Sequence, residues 1–492
     1  MTAITNTVKL HRELGLCSAI CLIVNVMIGS GIFISAGNVL KNTGSVAMCL
    51  VMWTSCGMVS LLGALSYAEL AGVVQKSGGN FMFYRTAYGD IHKFWGPLPS
   101  FVYSFMTILY TRPTEMVIST MTFAEYSVRP IGLWLSLQPD TEAVLKKTLT
   151  LAAICTITMI NYMSVKYFVK VQFAATVSKI AACLIIVGSG LHQLYLGNTQ
   201  TLATGFEGTS LTVSTLPIAL YSGLWAFDGW GSSTMALEEI KNPQRNILLS
   251  YILAVPSVTI IYVLMNVSYF TVLTKSEMVS SSAVAVTFGN HALGMFKFIV
   301  PLGVAISTFG SALATQFETT RLCYAASREG QMLEVFSYIS VKRLTPVPAV
   351  LLQGILALLF CLASKNIITL IEFVSFLVWI FYGCSMTALL VMRFTKKDVK
   401  RPFKVPIIIP IFVLAMSVML FLTPIITRGK PQFLYALVFI LFAVVVYIPF
   451  VYQKKRLSIV DYLTEATKNC LGVVPPEKDD PHLPAAENNL EK

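Results

Sequence analysis

The chain has 492 residues, of which 55% are hydrophobic and only 12% are charged, and its formal net charge is +12 at pH 7. Soluble globular proteins contain about 25% charged residues, so this composition excludes that class and indicates an integral protein of the lipid bilayer. Because Lys and Arg concentrate in the cytoplasmic loops of membrane proteins, we attribute the positive charge to topology. We therefore do not expect nucleic-acid binding.

Twelve stretches of the chain lack Asp, Glu, Lys and Arg, and most reach the roughly 20 residues that a helix needs to cross a bilayer. These predicted spans 1 to 12 are 15–40, 42–68, 98–111, 148–165, 180–206, 208–227, 248–274, 298–317, 344–364, 373–392, 405–427 and 431–453. Span 3 continues past Arg112 to about Val128 and span 4 is short, so eleven and thirteen spans are the alternatives. The pattern predicts an all-α membrane protein with 12 transmembrane helices.

Span 1 is interrupted near its middle by the triplet Gly29, Ser30 and Gly31 in VMIGSGIF. Glycine costs a helix about 1 kcal/mol relative to alanine. One explanation is close packing against a neighbouring helix, the usual role of small residues in membrane helices. The other explanation is a deliberate break of the helix, and the triplet alone does not decide between them.

Span 6 is interrupted as well. The segment LYSGLWAFDGWGSSTMALEE at 220–239 contains Gly223, Gly229 and Gly231, and Asp228 lies inside its otherwise apolar part. Spans 1 and 6 are the first members of two five-helix sets, spans 1–5 and 6–10. Paired breaks of this kind mark inverted-repeat transporters, whose binding site lies between the two discontinuous helices. The second break therefore favours a binding site over simple packing.

The two breaks suit the two constant groups of an α-amino acid. A half-helix that starts at the first break presents unpaired N–H groups and the positive end of its dipole, which favour a carboxylate. Unwound carbonyls of span 6 favour an ammonium group. The sequence therefore indicates a receptor for amino acids.

Several motifs together carry a family resemblance over about residues 10–460. They are IGSGIF at 28–33, YAELAGVVQKSGGNFMFY at 67–84, RPT at 112–114, FAEY at 123–126, YSGLWAFDGW at 221–230, EEIKNPQRNI at 238–247, TRLCYAASREG at 320–330 and VVPPE at 473–477. With these motifs the chain resembles the L-type amino-acid transporters, the light subunits of heteromeric exchangers in the amino acid, polyamine and organocation superfamily. The resemblance implies a LeuT-type 5+5 inverted repeat with discontinuous helices 1 and 6, and sodium-independent exchange by alternating access.

The predicted domain layout follows from these spans. Residues 1–14 form a cytoplasmic N-terminus, 15–453 the twelve-helix transporter domain and 454–492 a largely disordered cytoplasmic tail. Within the domain the repeats cover about 15–206 and 208–392, and helices 11 and 12 cover about 405–453.

The resemblance also implies site residues. Ser30 and Gly31 offer N–H donors to the substrate carboxylate. The backbone carbonyls that receive the ammonium group are those of Met27, Trp225, Ala226 and Asp228. Trp225 also occupies the position of an aromatic gate, and its alternative role is packing within the helix bundle.

Two charged residues carry the finer predictions. The family places a lysine at the position of Lys179, where related sodium-coupled carriers bind sodium. Its ammonium group would supply the positive charge that sodium supplies in those carriers, which fits sodium independence. The alternative is a lysine whose side chain extends to the membrane surface. Family members that handle dibasic amino acids carry an aspartate at Asp228. We expect an exchanger of dibasic and neutral amino acids, unless Asp228 is a structural residue held by Arg112 or by helix-end donors.

The alternatives to this function are a large-neutral-amino-acid exchanger and a membrane amino-acid sensor on the same fold. We predict no enzymatic activity, no cofactor and no metal site. The loop at 129–147 lacks the cysteine through which the family's light subunits form a disulfide to a single-span glycoprotein heavy subunit. The two alternatives are noncovalent association with such a heavy subunit and independent trafficking as one chain. The expected location is the plasma membrane, with the N- and C-termini cytoplasmic.

Overall fold

The computed structural model describes residues 14–475, apart from 77, 164, 236, 238–239, 341–342, 344, 365, 429–430 and 456–457. Within these residues nearly all regular structure is helical, and the strands form a single short pair. The structure confirms an all-α membrane protein.

The first predicted repeat contains helices α1 to α9. Their bounds are α1 Leu16–Met27, α2 Gly31–Thr43, α3 Val46–Val74, α4 Gly79–Tyr88, α5 Leu98–Met106, α6 Arg112–Leu135, α7 Pro139–Met163, α8 Val165–Tyr195 and α9 Gln200–Ala203. A π-helical turn, Thr107–Thr111, joins α5 to α6.

The remaining helices follow in the same order as the predicted spans. They are α10 Leu216–Ala226, α11 Pro243–Val272, α12 Lys275–Ser280, α13 Val284–Ala292, α14 Ile299–Arg328, α15 Val347–Ala363, α16 Ile367–Thr395, α17 Ile408–Arg428, α18 Pro431–Tyr447 and α19 Ser458–Leu471. A short 3₁₀ helix, Trp230–Thr234, follows α10.

By length and hydropathy, eight of the described helices are able to cross a membrane, or nine if the bent pair α1 and α2 forms one span. The other predicted spans correspond to α5 and α6 in series, to the short α10 with its 3₁₀ extension, and to the 17-residue α15. Helices α5, α10 and α15 have 9, 11 and 17 residues. Helix α6 has 24 residues but contains Arg112, Glu115, Glu125 and Arg129, which lower its hydropathy.

The broken spans lie at the centre of the bundle. Helix α10 packs against α2 and α16, and α11 packs against α1, α3 and α8. Aromatic rings fill the space beside the breaks: the ring centroid of Tyr262 is 5.7 Å from that of Trp53 and 4.9 Å from that of Phe227. This packing holds spans 1 and 6 against each other.

The part of the tail that the structure describes is more ordered than we expected. Helix α19 precedes β2 (Val473–Val474), which pairs antiparallel with β1 (Ile339–Ser340). Val473 is buried against Val335 and neighbouring apolar residues. Apolar contacts and strand pairing therefore hold this segment, and a polar composition alone did not reveal them. Residues 476–492 lie outside the described residues, as do 1–13 of the predicted N-terminus.

Candidate binding site at the two helix breaks

The break in span 1 separates α1 from α2 by three residues. The axes of the two helices differ by 51°. The N–H of Gly29 donates to the carbonyl of Met27 at 2.8 Å and so leaves the helical ladder. The first N–H groups of a helix have no intrahelical acceptor, so α2 presents donors at Gly31 and the following residues.

A lysine stabilises the end of α1 at this break. Lys179 of α8 is fully buried, and its Nζ donates to the main-chain oxygen of Asn25 at 2.7 Å. The Asn25 side chain is also held, because the hydroxyl of Thr176 donates to its Oδ1 at 2.9 Å. Asn25 therefore anchors the end of α1 to α8 through both its main chain and its side chain.

The break in span 6 depends on glycine. Helix α10 ends at Ala226, and Gly229 has φ +103°, a conformation that other residues rarely adopt. A side chain at Gly229 would also collide with Val26 of α1. Only glycine therefore fits at this position between α10 and the 3₁₀ helix.

The two breaks contact each other directly. A Cβ atom at Gly31 would lie 2.5 Å from the Cα of Ala226, so the two backbones approach as closely as glycine permits. The hydroxyl of the fully buried Tyr262 lies 2.7 Å from the carbonyl oxygen of Met27 and 3.0 Å from that of Ala226. Tyr262 has one hydroxyl hydrogen to donate, which these two oxygens share.

A central cavity lies between the breaks. Five of the predicted site residues line it: Met27, Ser30, Gly31, Trp225 and Asp228. The sixth, Ala226, is only 1% exposed and packs against Gly31. Lys179 lies behind the break on α1 and does not line the cavity. The structure thus brings together residues that are nearly 200 positions apart in sequence.

Trp225 borders the central cavity and is partly buried. Its indole Nε1 is buried without a hydrogen-bond partner among the described residues.

Asp228 accepts a short hydrogen bond from the hydroxyl of Tyr382 on α16. The Tyr382 ring stacks on Trp230, with ring centroids 4.5 Å apart and planes inclined by 28°. Arg112 instead donates to Glu115 at 2.9 Å. The donor that holds Asp228 is therefore Tyr382, which differs from both donors considered in the sequence analysis.

An inner cavity adjoins the central one. It extends towards α4, which follows span 2 on the side predicted to be cytoplasmic, and Tyr67, Thr107 and Glu318 are among its lining residues. Arg112, Glu115 and Asp228 line both cavities.

An outer cavity lies at the opposite end of α2. It is lined by Asn38, Lys41, Glu125, Lys146 and Ser282, among others. The hydroxyl of Ser282 donates to Glu125 at 2.5 Å, and Lys146 pairs with Glu125 at 2.6 Å. Polar contacts therefore link the α12–α13 connection to α6 and α7 at this mouth.

Sequence reasoning missed three residues of the site. Glu115 carries a signal, because a carboxylate within a membrane span is costly and marks a functional position. Tyr262 and Tyr382 carry none, since tyrosine is common in such spans and their partners are 235 and 154 positions away.

A helical membrane protein with two broken helices that face each other around a polar cavity has the architecture of a transporter. The sequence profile of the amino acid permease family matches residues 14–451. The chain belongs to this family.

Individual relatives are similar along most of their length. The mouse (Mus musculus) b(0,+)-type amino acid transporter 1 is 43% identical over 96% of this chain and 95% of its own length. The human (Homo sapiens) cystine/glutamate transporter is 39% identical over 82% of this chain and 78% of its own. The human large neutral amino acids transporter small subunit 2 is 35% identical over 83% and 74%. All three are transporters of amino acids by name.

Proposed function

We propose that this protein is a sodium-independent exchanger that carries dibasic and neutral L-amino acids by alternating access. The observation that carries the proposal is the direct contact of the two breaks at Gly31 and Ala226. This contact places helix-start N–H groups and unwound carbonyls around one cavity, together with the carboxylate of Asp228. Membership in the amino acid permease family supports the same substrate class.

The substrate carboxylate binds the N–H groups of Ser30 and Gly31, where the α2 dipole favours an anion. The ammonium group binds carbonyls on the span 6 side. Of the four predicted carbonyls, those of Met27 and Ala226 already share the hydroxyl of Tyr262. The Trp225 carbonyl accepts a long 3.3 Å bond from the N–H of Asp228, so the carbonyls of Trp225 and Asp228 are the main acceptors. The Trp225 ring covers the bound substrate as a gate.

The side chain of the substrate points towards Asp228. A carboxylate in a cavity of low dielectric attracts the cation of a Lys, Arg or ornithine side chain far more strongly than it would in water. Tyr382 uses one oxygen of Asp228, and an ionised carboxylate has about four acceptor positions, so room for a cation remains.

Sodium independence rests on Lys179. Its ammonium group replaces a bound sodium ion as the positive charge behind the span 1 break. The bond from Lys179 to the carbonyl of Asn25 supports this role, since a main-chain oxygen is also a ligand for hard cations.

Alternating access requires a path on each side of the site. The outer, central and inner cavities lie along such a path. Residues of spans 1 and 3 line all three cavities, and residues of the span 6 break also line the central and inner ones. Closure of the outer mouth is attributed to the contacts of Glu125 with Ser282 and Lys146.

We further propose a plasma-membrane location with both termini in the cytoplasm. A single-span glycoprotein heavy subunit is the proposed partner, and its association is noncovalent because the 129–147 segment has no cysteine. Affinity purification without crosslinker, followed by gels run with and without reductant, tests this. A reductant-sensitive complex would contradict it.

The function is tested by counterflow in proteoliposomes preloaded with unlabelled amino acid. We expect labelled arginine and leucine to accumulate in exchange for internal substrate, equally with and without sodium. Binding without counterflow would favour a sensor.

Asp228→Gly tests selectivity: we expect arginine uptake to fall while leucine uptake persists. Equal losses of both would contradict the role of Asp228.

A further inference from the structure

The loop that joins α16 to α17 is fastened to the interior of the protein at its first half. The side chain of Arg401 in this loop is only 10% exposed, and its Nη2 donates to the carbonyl oxygens of Met392 at 2.8 Å and Lys396 at 3.1 Å. Its Nε lies 3.6 Å from Oε1 of the buried Glu69 on α3. Arg401 therefore closes the loop onto the last turn of α16.

The second half of the loop is held by the same carboxylate. The main-chain N–H of Val405 donates to Glu69 Oε2 at 2.9 Å. Pro402 packs on α3, where a Cβ atom at Gly72 would lie 3.4 Å from the proline Cδ. Residues 396–407 form neither helix nor strand, yet contacts at both ends fix their backbone. A loop fixed in this way loses little conformational freedom when a ligand binds to it.

Three lysines of this loop have no internal partner. Lys397, Lys400 and Lys404 are exposed, and no hydrogen bond or ion pair engages their side chains within the part of the chain that the structure describes. Asp398 is the only acidic residue in 396–407, so it offsets at most one of the three charges. The loop therefore presents an excess of positive charge on its outer surface.

Exposed apolar side chains place these lysines at the level of the membrane surface. Phe394 at the end of α16 is 69% exposed, and Ile407 and Ile408 at the start of α17 are 52% and 70% exposed. Lys397 follows Phe394 by three residues and Lys404 precedes Ile407 by three, and three residues span at most about 10 Å. The headgroup region is about 5–8 Å thick on each side of the hydrocarbon core. The lysines therefore lie within reach of lipid headgroups.

We propose that this loop binds the headgroup of an anionic phospholipid, whose phosphate groups contact Lys397, Lys400 and Lys404 and whose acyl chains lie against Phe394 and Ile407. Lysine binds phosphate through the charge of its ammonium group. The loop lines none of the three cavities, so this site is separate from the substrate path. In the proposed topology the loop is cytoplasmic, and the cytoplasmic leaflet carries the anionic lipids.

The competing role for these lysines is to set the orientation of the chain during membrane insertion. Orientation requires positive charge on the loop, but it requires neither a fixed backbone nor a bound lipid. The contacts of Glu69 with Arg401 and Val405 supply the fixed backbone, which a lipid site uses.

The test measures binding of a fluorescent phosphatidylinositol bisphosphate to the purified full chain in micelles of an uncharged detergent. Each lysine near an anionic headgroup contributes about fivefold in affinity. The triple variant Lys397→Gln, Lys400→Gln and Lys404→Gln is therefore expected to bind roughly 100-fold more weakly. Absence of saturable binding by the wild-type chain would overturn the proposal.

A second triple variant is the matched control. Lys76→Gln, Lys454→Gln and Lys455→Gln together remove three exposed lysines from other segments on the side predicted to be cytoplasmic. Both triple variants change the net charge equally and alter only exposed residues, so we expect both to melt like the wild type. The control is expected to bind the lipid like the wild type. Equal weakening in both variants would overturn the proposal, because binding would then follow net charge alone.

Asp398→Asn tests the site in the opposite direction. This change removes the one acidic side chain of the loop, so we expect about fivefold tighter binding of the same lipid. Unchanged or weaker binding would contradict the placement of the headgroup at this loop.

Soluble inositol trisphosphate distinguishes a membrane lipid from a free phosphate compound. It carries the phosphate groups of the headgroup without acyl chains, so it lacks the contacts with Phe394 and Ile407. We expect it to displace the fluorescent lipid far less effectively than unlabelled phosphatidylinositol bisphosphate does. Displacement by both compounds at equal concentrations would contradict a membrane lipid as the ligand.

Discussion

The ammonium group of Lys179 on α8 donates a 2.7 Å hydrogen bond to the main-chain oxygen of Asn25 on α1. In an unbroken helix this oxygen would accept from the N–H of Gly29. That N–H instead donates to Met27 at 2.8 Å. Lys179 thus takes the place of a backbone donor that the break removes.

Lys179→Met is expected to remove the hydrogen bond from Lys179 to Asn25 that stabilises the end of α1. A hydrogen bond to a charged group contributes about 1.5–3 kcal/mol, so uptake of arginine and of leucine should each fall by roughly 10-fold or more. Initial rates in proteoliposomes at equal protein density measure the effect. Lys170→Met is the control, because Lys170 is exposed on the same helix. Full activity of Lys179→Met would indicate a lysine that merely snorkels.

Gly31→Ala is expected to separate the two breaks. The added Cβ would lie 2.5 Å from the Cα of Ala226 and 3.0 Å from its Cβ, and neither backbone is free to move without displacing α2 or α10. We expect a loss of substrate binding and a lower melting temperature in detergent. Gly188→Ala is the control, since a Cβ on this α8 residue meets no atom within 4 Å. Normal transport by Gly31→Ala would show that the close contact is not required.

Tyr382→Phe removes the hydroxyl that positions Asp228 and keeps the ring that stacks on Trp230. The KM for arginine should rise by roughly 3- to 10-fold, in line with about 1 kcal/mol for one hydrogen bond. The KM for leucine should change little, because leucine has no cation to place. Concentration series for the two substrates measure the ratio. An equal rise for both would assign Tyr382 a general structural role.

Glu69→Gln is expected to destabilise the fold more than the site. The Glu69 carboxylate on α3 is buried and accepts from Arg393 at 2.9 and 2.6 Å and from the N–H of Val405 at 2.9 Å. Removing one partner of a buried pair costs about 3–5 kcal/mol, so the melting temperature should fall clearly.

Asp90→Asn is the control for Glu69→Gln. The Asp90 side chain is 94% exposed and lies 3.8 Å from Lys396, and exposed pairs contribute little. An unchanged melting temperature for Glu69→Gln would show that the contacts of Glu69 with Arg393 and Val405 do not hold α3 to α16.

The sequence alone was sufficient for the membrane class and for the positions of the two breaks. Apolar spans of bilayer length, glycine in mid-span and a charge at Asp228 are local signals, because each reports a cost that the chain accepts at that position. Five of the six predicted site residues accordingly line one cavity.

The side-chain partners were decided only by the tertiary structure. Tyr262 bonds to carbonyls of both breaks, Tyr382 donates to Asp228, and Lys179 donates to the main-chain oxygen of Asn25. The two members of each of these contacts are more than 150 positions apart in sequence, except for Tyr262 and Ala226. Composition and periodicity report what a segment needs, such as a donor for a freed carbonyl. Which distant side chain meets that need depends on how the helices pack, and that is fixed only when the whole bundle is assembled.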